Sequence, residues 1–238
     1  MSFAKRLRQL IGVVIFLVVY GAVPRSLQAT ISPTEEVKET IEKVFALLQD
    51  PALKGGAKKA ERGALLRAAV KERFDFREIA KRALGIHWKQ SMEKQDAFVA
   101  LFSELLFTVY LDTLEGDIKA TITYLREHIS EGSAEVVTRI MVSDKGNLNK
   151  GFDITYRLHE REGSWKAYDI LVEGMSLIQN YRSQFYHMLQ RRSFDEVLEI
   201  MRKKIKKLQN ARAATPLDGE FFWLLHLRLA KKKRNVVV

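Results

Sequence analysis

Cysteine is absent from all 238 residues. Its absence excludes disulfides, an acylated lipoprotein cysteine, thiol catalysis and every Cys-ligated metal. Stability must therefore come from a packed apolar core. The chain also lacks a glycine-rich phosphate loop and a nucleophile elbow. Its histidines, His87, His128, His159, His187 and His226, include no pair at metal-ligand spacing. No cofactor is expected. No repeat or low-complexity stretch interrupts the body of the chain, and no apolar run reaches the roughly 20 residues that a bilayer-crossing helix needs.

The two ends differ from the middle. Lys5, Arg6 and Arg8 precede an apolar run of 14 residues from Leu10 to Val23, and Pro24 leads to a short polar stretch ending at Ala29. This is the three-part layout of a secretory signal peptide, expected to be cleaved after Ala29. Without residues 1–29 the chain carries 36 basic against 29 acidic residues. Ala211 to Val238 holds six basic and two acidic residues, so the body is left with a net charge of only +3. The basic character thus belongs to the ends, and a nucleic-acid partner, which needs a basic face on the folded domain, is not expected.

The body, residues 31–210, has the length of one domain with a substantial core. Ser32-Pro33-Thr34-Glu35 is a capping box with proline at the first helical position, and Val37, Ile41, Val44, Phe45 and Leu48 follow at helical spacing. Asp50-Pro51 and Gly55-Gly56 end that pattern. A second helix is expected over Lys58 to Arg73, and a third runs from a cap at Asp75 to a stop at Gly85. From Ser91 a broad apolar stripe through Phe98, Leu101, Phe102, Leu105, Leu106, Val109, Tyr110 and Thr113 reads as one six-turn helix.

The period then changes from 3.6 to 2. Ile118, Ala120, Ile122 and Tyr124 alternate with polar residues, as do Val136, Thr138, Ile140 and Val142, and then Phe152, Ile154, Tyr156 and Leu158. Turns at Asp144 to Asn147 and Glu160 to Gly163 lead to a last strand, Trp165 to Glu173. Helices return at Ser176 and, behind the capping box Ser193 to Glu196, through Val197, Leu198, Met201, Ile205 and Leu208; the other side of that last helix is nearly all Lys and Arg. The expectation is an α+β fold, a curved four-stranded antiparallel meander covered by helices. The inner face is assigned Ile122, Tyr124, Val136, Ile140, Ile154, Tyr156, Tyr168 and Ile170, opposed by Leu101, Leu105 and Val109. On residue types alone these side chains either fill a core or wall a cavity.

Trp165 to Leu189 carries a dense motif: Trp165, Tyr168, Asp169, Glu173, Gly174, Ser176, Leu177, Asn180, Tyr181, Arg182 and Phe185. It resembles the signature segment of the MlaC or toluene-tolerance family of periplasmic phospholipid-binding proteins. Phe74 to Leu114 is similar to the same family in Phe74 to Phe76, Ile79-Ala80, Ala83 to Gly85, Trp88, Gln95, Phe98, Phe102, Leu105-Leu106 and Tyr110. The resemblance implies a nuclear-transport-factor-like cone and a lipid-filled cavity. It also implies a periplasmic shuttle that maintains outer-membrane asymmetry, working between an inner-membrane ABC transporter complex and an outer-membrane lipoprotein complex. Each methylene taken from water contributes about 0.8 kcal/mol, so one tail of about 16 carbons is worth on the order of 12 kcal/mol before losses. Enclosing phospholipid cargo therefore needs apolar surface and no special motif, with the head group left near a surface Lys or Arg. A hopanoid or other polycyclic lipid is an alternative cargo.

Two other classes stay open: a dry-cored adaptor of a membrane complex and an acid/base enzyme. The only plausible catalytic set is Asp169, Tyr156 and Tyr168, and strand parity places Asp169 opposite Tyr168 and Ile170, which weakens it. Gly174 supplies a backbone angle, Ser176 a helix cap, and Arg182 reaches a carboxylate or a lipid phosphate. Residues 211–238 match nothing in the family pattern. Phe221 to Ala230, followed by Lys231 to Arg234, reads as an extra packed helix, a poorly ordered extension or a membrane-surface contact.

Overall fold

The computed structural model describes residues 31–111, 120–144 and 147–214, and within them the helix punctuation of the sequence is used directly. Ser32 caps α1 (Pro33–Gln49), its hydroxyl accepting from Glu35 N, while Pro33 occupies a position where no donor is lost. Asp50-Pro51 ends α1, and short 3-10 turns at Pro51–Leu53 and Gly56–Lys58 lead into α2 (Lys59–Arg73). Gly85 closes α3 (Phe76–Leu84) at φ 57°. A Cβ there would stand 2.8 Å from Arg182 Nε, at the outer part of a flexible side chain, so it is the backbone angle that requires glycine. Signal peptide, cleavage point, Ile118, Lys145-Gly146 and the chain from 215 onward lie outside the described residues.

The expected six-turn helix is composite. A 3-10 stretch, Gly85–Lys94, precedes α4 (Gln95–Leu106), which widens into a π-type turn, Phe107–Leu111. A π turn inserts an extra residue and rotates whatever follows.

Strands β1 (Ala120–Ser130), β2 (Ser133–Asp144), β3 (Asn147–Arg161) and β4 (Ser164–Val172) form an antiparallel meander, extended by β5 (Met175–Ser176). The α+β architecture is the expected one, with one strand more than expected, because two residues carry no alternation. Glu131-Gly132, Glu162-Gly163 and Glu173-Gly174 each join strands with positive φ at both positions, the pair of left-handed residues that type I′ hairpins require. Register slips at Leu125 of β1 and at Tyr168 of β4 mark bulges, which bend the strands and increase their twist. Two helices, α5 (Leu177–Leu189) and α6 (Phe194–Ala214), complete the domain.

Asp75 joins these layers. Its Oδ1 accepts from Glu78 N at 2.9 Å, capping α3, and its Oδ2 accepts from Arg161 Nη1 at 2.6 Å, while its own N–H donates to Ala167 O on β4. Burial opposes the charge, but the bonds from Glu78 N and Arg161 outweigh it and hold the carboxyl below its ordinary value of 3.8. A carboxyl depressed on folding stabilises above its unfolded pKa and loses that contribution as pH falls through its folded one. Asp75→Asn is therefore expected to lower the urea midpoint at pH 7, with the gap to wild type narrowing below about pH 4. A gap independent of pH would remove the carboxylate from the explanation.

Buried apolar residues gather in three clusters. One lies among α3 to α6, centred on Phe98, Phe102 and Phe185. A second pins Val37 of α1 to Val136, Leu158, Trp165 and Ala167 of the sheet. The third joins Leu48, Leu66, Phe107 and Leu111.

Candidate functional site

A cavity of about 270 Å³ opens among these clusters. The sheet supplies its floor: Ile122 and Ile140 are cross-strand partners, as are Ile154 and Val172, and Tyr156 and Ile170. Helix α1 crosses above and turns Val37, Thr40, Ile41, Val44, Phe45 and Leu48 downward, the three- and four-residue spacing of one helix face. Leu106, Phe107, Tyr110 and Leu111 close one end, and Leu177 and Ile178 of α5 stand near the β4–β5 hairpin. Ile41, Val44 and Phe45 are only half-buried although they point inward. The protein's own side chains leave that apolar surface uncovered.

The polar groups of the wall are engaged with the protein. Arg73 is 7% exposed and pairs with the buried carboxylate of Glu36; its Nη1 donates to Trp165 O at 2.6 Å and its Nε to Thr40 Oγ1 at 3.1 Å. Asp169 accepts from Ser176 Oγ at 2.6 Å through Oδ2 and from Ile178 N at 3.1 Å through Oδ1. Ser176 Oγ in turn accepts from Gln179 N at 2.9 Å. Asp169 and Ser176 thus cap α5 together, satisfying two free helix donors. Burial pushes the Tyr156 phenol up to about 12.

The sequence-derived wall divides in two. Ile122, Ile140, Ile154, Tyr156 and Ile170 line the cavity. Tyr124 and Val136 lie on the same sheet face beneath the N-terminal half of α1, packed with Val37. Leu101, Leu105 and Val109 face the helical core, whereas Leu106, Phe107, Tyr110 and Leu111 line the cavity. Tyr168 is the bulge residue, and the Arg82 guanidinium lies 3.9 Å from its ring centroid.

That bulge shifts which residues of β4 face inward, while Asp169, whose strand partner is Arg157, keeps the side opposite Ile170, whose partner is Tyr156. Trp165 and Ala167 face inward before it, Ile170 and Val172 face inward after it, and Asp169 lies buried at the cavity wall beside Ile170. Helix α1, the largest contributor to the roof, was legible as a helix but not as a wall. Its stripe has the same pattern whether it meets side chains or empty space. Arg182 is exposed and packs on Gly85, and among the described residues it has no carboxylate partner.

Among the described residues no group of acidic and histidine side chains is arranged to hold a metal, and no helix is long and apolar enough to cross a membrane. No curated protein matches the chain. A solved structure from Ralstonia solanacearum, described as a phospholipid-binding protein in complex with a phospholipid, is 25% identical, covers 74% of this chain and 97% of its own, and superposes with a TM-score of 0.62. The family described as MlaC protein matches residues 38–203, from within α1 to the middle of α6. Matched over more than two thirds of its length, through every element that walls the cavity, the chain belongs to the MlaC family.

Proposed function

We propose that this protein is a phospholipid carrier that takes acyl chain into the cavity between α1 and the sheet and releases it unchanged. The observation that carries this reading is an apolar space whose wall polar groups are bonded within the protein. A cavity that offers hydrocarbon surface and no open polar partner stays dry and accepts apolar ligands. Its volume, about 270 Å³, stands near the lower end of small-molecule sites, roughly 300–1,000 Å³. It suits part of a lipid, with the head group outside.

The structure of the phospholipid-bound relative supports this cargo. Family membership supports the wider role: passage through the periplasm between an inner-membrane ABC transporter complex and an outer-membrane lipoprotein complex, in maintenance of outer-membrane asymmetry. Exchange of this kind breaks no bond. Asp169, the one carboxylate at the wall, has both oxygens occupied by the cap of α5, so acid/base chemistry would have to dismantle the helix terminus first.

Organic extraction of the purified full chain followed by mass spectrometry tests the proposal. The expected result is near-stoichiometric phospholipid. A polycyclic lipid would change the cargo class and keep the carrier. Repeated lipid-free preparations that also take up none from vesicles would end it.

A further inference from the structure

Helix α6 separates its charges along its length. Its three acidic residues, Asp195, Glu196 and Glu199, fall in the first six positions, and from Arg202 onward every charged residue is basic. Val197, Leu198, Met201 and Ile205 are buried and fix the helix to the core. Between Arg202 and Lys207 only Ile205 points inward, and Arg202, Lys203, Lys204, Lys206 and Lys207 are all exposed. At 100° per residue these five cover the whole outward arc of the helix. Glu199 lies near both Arg202, at 3.4 Å, and Lys203, at 4.0 Å. Among the described residues no carboxylate pairs with Lys204, Lys206 or Lys207.

The helix dipole does not explain this pattern. It favours cations only within the last turn, whereas Lys207 stands seven residues before Ala214. Nor is the whole domain basic, since the body carries a net charge of only +3. We infer that the outward face of α6 docks the protein on an anionic phospholipid surface. The choice of surface rests on the carrier reading, because a carrier of phospholipid must reach the bilayer where its cargo resides. The charge pattern itself does not depend on that reading. Docking through lysine side chains on a rigid helix holds the protein without insertion, and salt releases it.

The full chain, tail included, is to be sedimented with vesicles of phosphatidylglycerol mixed with phosphatidylcholine and with vesicles of phosphatidylcholine alone. Wild type is expected on the anionic vesicles only, and to come off them in about 1 M salt, where screening acts over about 3 Å. Each basic side chain near such a surface is worth about 1 kcal/mol, roughly five-fold in partition. The triple variant Lys203→Gln, Lys204→Gln, Lys207→Gln is thus expected to bind on the order of 100-fold more weakly. Glutamine keeps helix propensity, and the matching triple Arg variant is expected to retain binding, which separates lost charge from lost fold. Equal binding of wild type to both vesicle types overturns the inference, as does unchanged binding of the glutamine variant or capture by an acidic protein without vesicle binding. Extraction of the same preparations reads cargo separately. Lipid-loaded protein that ignores anionic vesicles sinks the docking face alone, and lipid-free protein that binds them sinks the carrier alone.

Discussion

Tryptophan at Val44 and at Ile170 is expected to empty the protein of lipid while leaving it folded. Both positions line the cavity from opposite sides, Val44 on α1 and Ile170 on β4, and both are half-buried, so an indole can grow into space that the protein leaves open. In a filled core the same change would overpack and cost about 1–3 kcal/mol at each site. Across a cavity of about 270 Å³, the added rings gain contacts instead, and the thermal midpoint is expected to hold or rise. Each methylene kept out of the site costs about 0.8 kcal/mol, so excluding three weakens binding by roughly 50-fold. Leu65→Trp, on the exposed side of α2, is the control and keeps its lipid. If the double variant co-purifies with as much lipid as wild type, the lipid lies elsewhere. If it unfolds, the space between α1 and the sheet is smaller than described.

How the fold could be read in the sequence depended on how local each signal was. Caps at Ser32, Asp75, Ser176 and Ser193 depend on bonds spanning three residues, and the sequence displays them in full. Strand alternation is also local, and it puts Ile122, Ile140, Ile154 and Tyr156 on one sheet face, the one that floors the cavity. Failures came where one residue shifts the count. The bulge at Tyr168 reverses the parity of β4, and the apolar stripe of α4 is shared, with Leu101, Leu105 and Val109 meeting the helical core and Leu106 and Tyr110 lining the cavity. Neither leaves a mark in a string of apolar and polar letters. The cavity itself was not legible either, since an uncovered face and a covered one use the same residues.

The dense motif from Trp165 onward mostly holds the cavity wall in place, and of its residues only Asp169 and Leu177 line the cavity. Glu173 and Gly174 adopt positive φ to turn β4 into β5, and Glu173 Oε1 accepts from Asp153 N at 2.6 Å to fix that turn on β3. Asp169 and Ser176 then start α5, which sets Leu177 and Ile178 beside Ile170 and Val172. A chain of short-range geometric requirements explains why so many polar residues surround a site that is itself apolar.

Arg73→Ala is expected to cost about 3–5 kcal/mol of stability, because it strands the buried carboxylate of Glu36. Arg73 and Glu36 are 7% and 6% exposed. Burial draws the guanidinium below its ordinary range, and the Glu36 carboxylate is its charge partner. Around that pair, Glu36 accepts from Trp165 N at 3.1 Å and from Ser164 Oγ at 3.1 Å, while Arg73 donates to Trp165 O and Thr40. One ion pair therefore ties α1, α2 and the first residues of β4 together at the cavity wall. The double variant Arg73→Met with Glu36→Leu removes both charges and is expected to recover part of the loss. The remaining deficit is about 1–3 kcal/mol, for the amide and carbonyl of Trp165 left without partners. Urea titration of Arg73→Met, Glu36→Leu and the double variant gives the coupling directly. An Arg73→Ala cost under about 1 kcal/mol would mean that the pair behaves like a solvated surface bridge. Because α1 is the roof of the cavity, the single variants should shed lipid along with stability. The double variant should keep its lipid if a neutral contact between the two substituted side chains still holds α1 against the sheet.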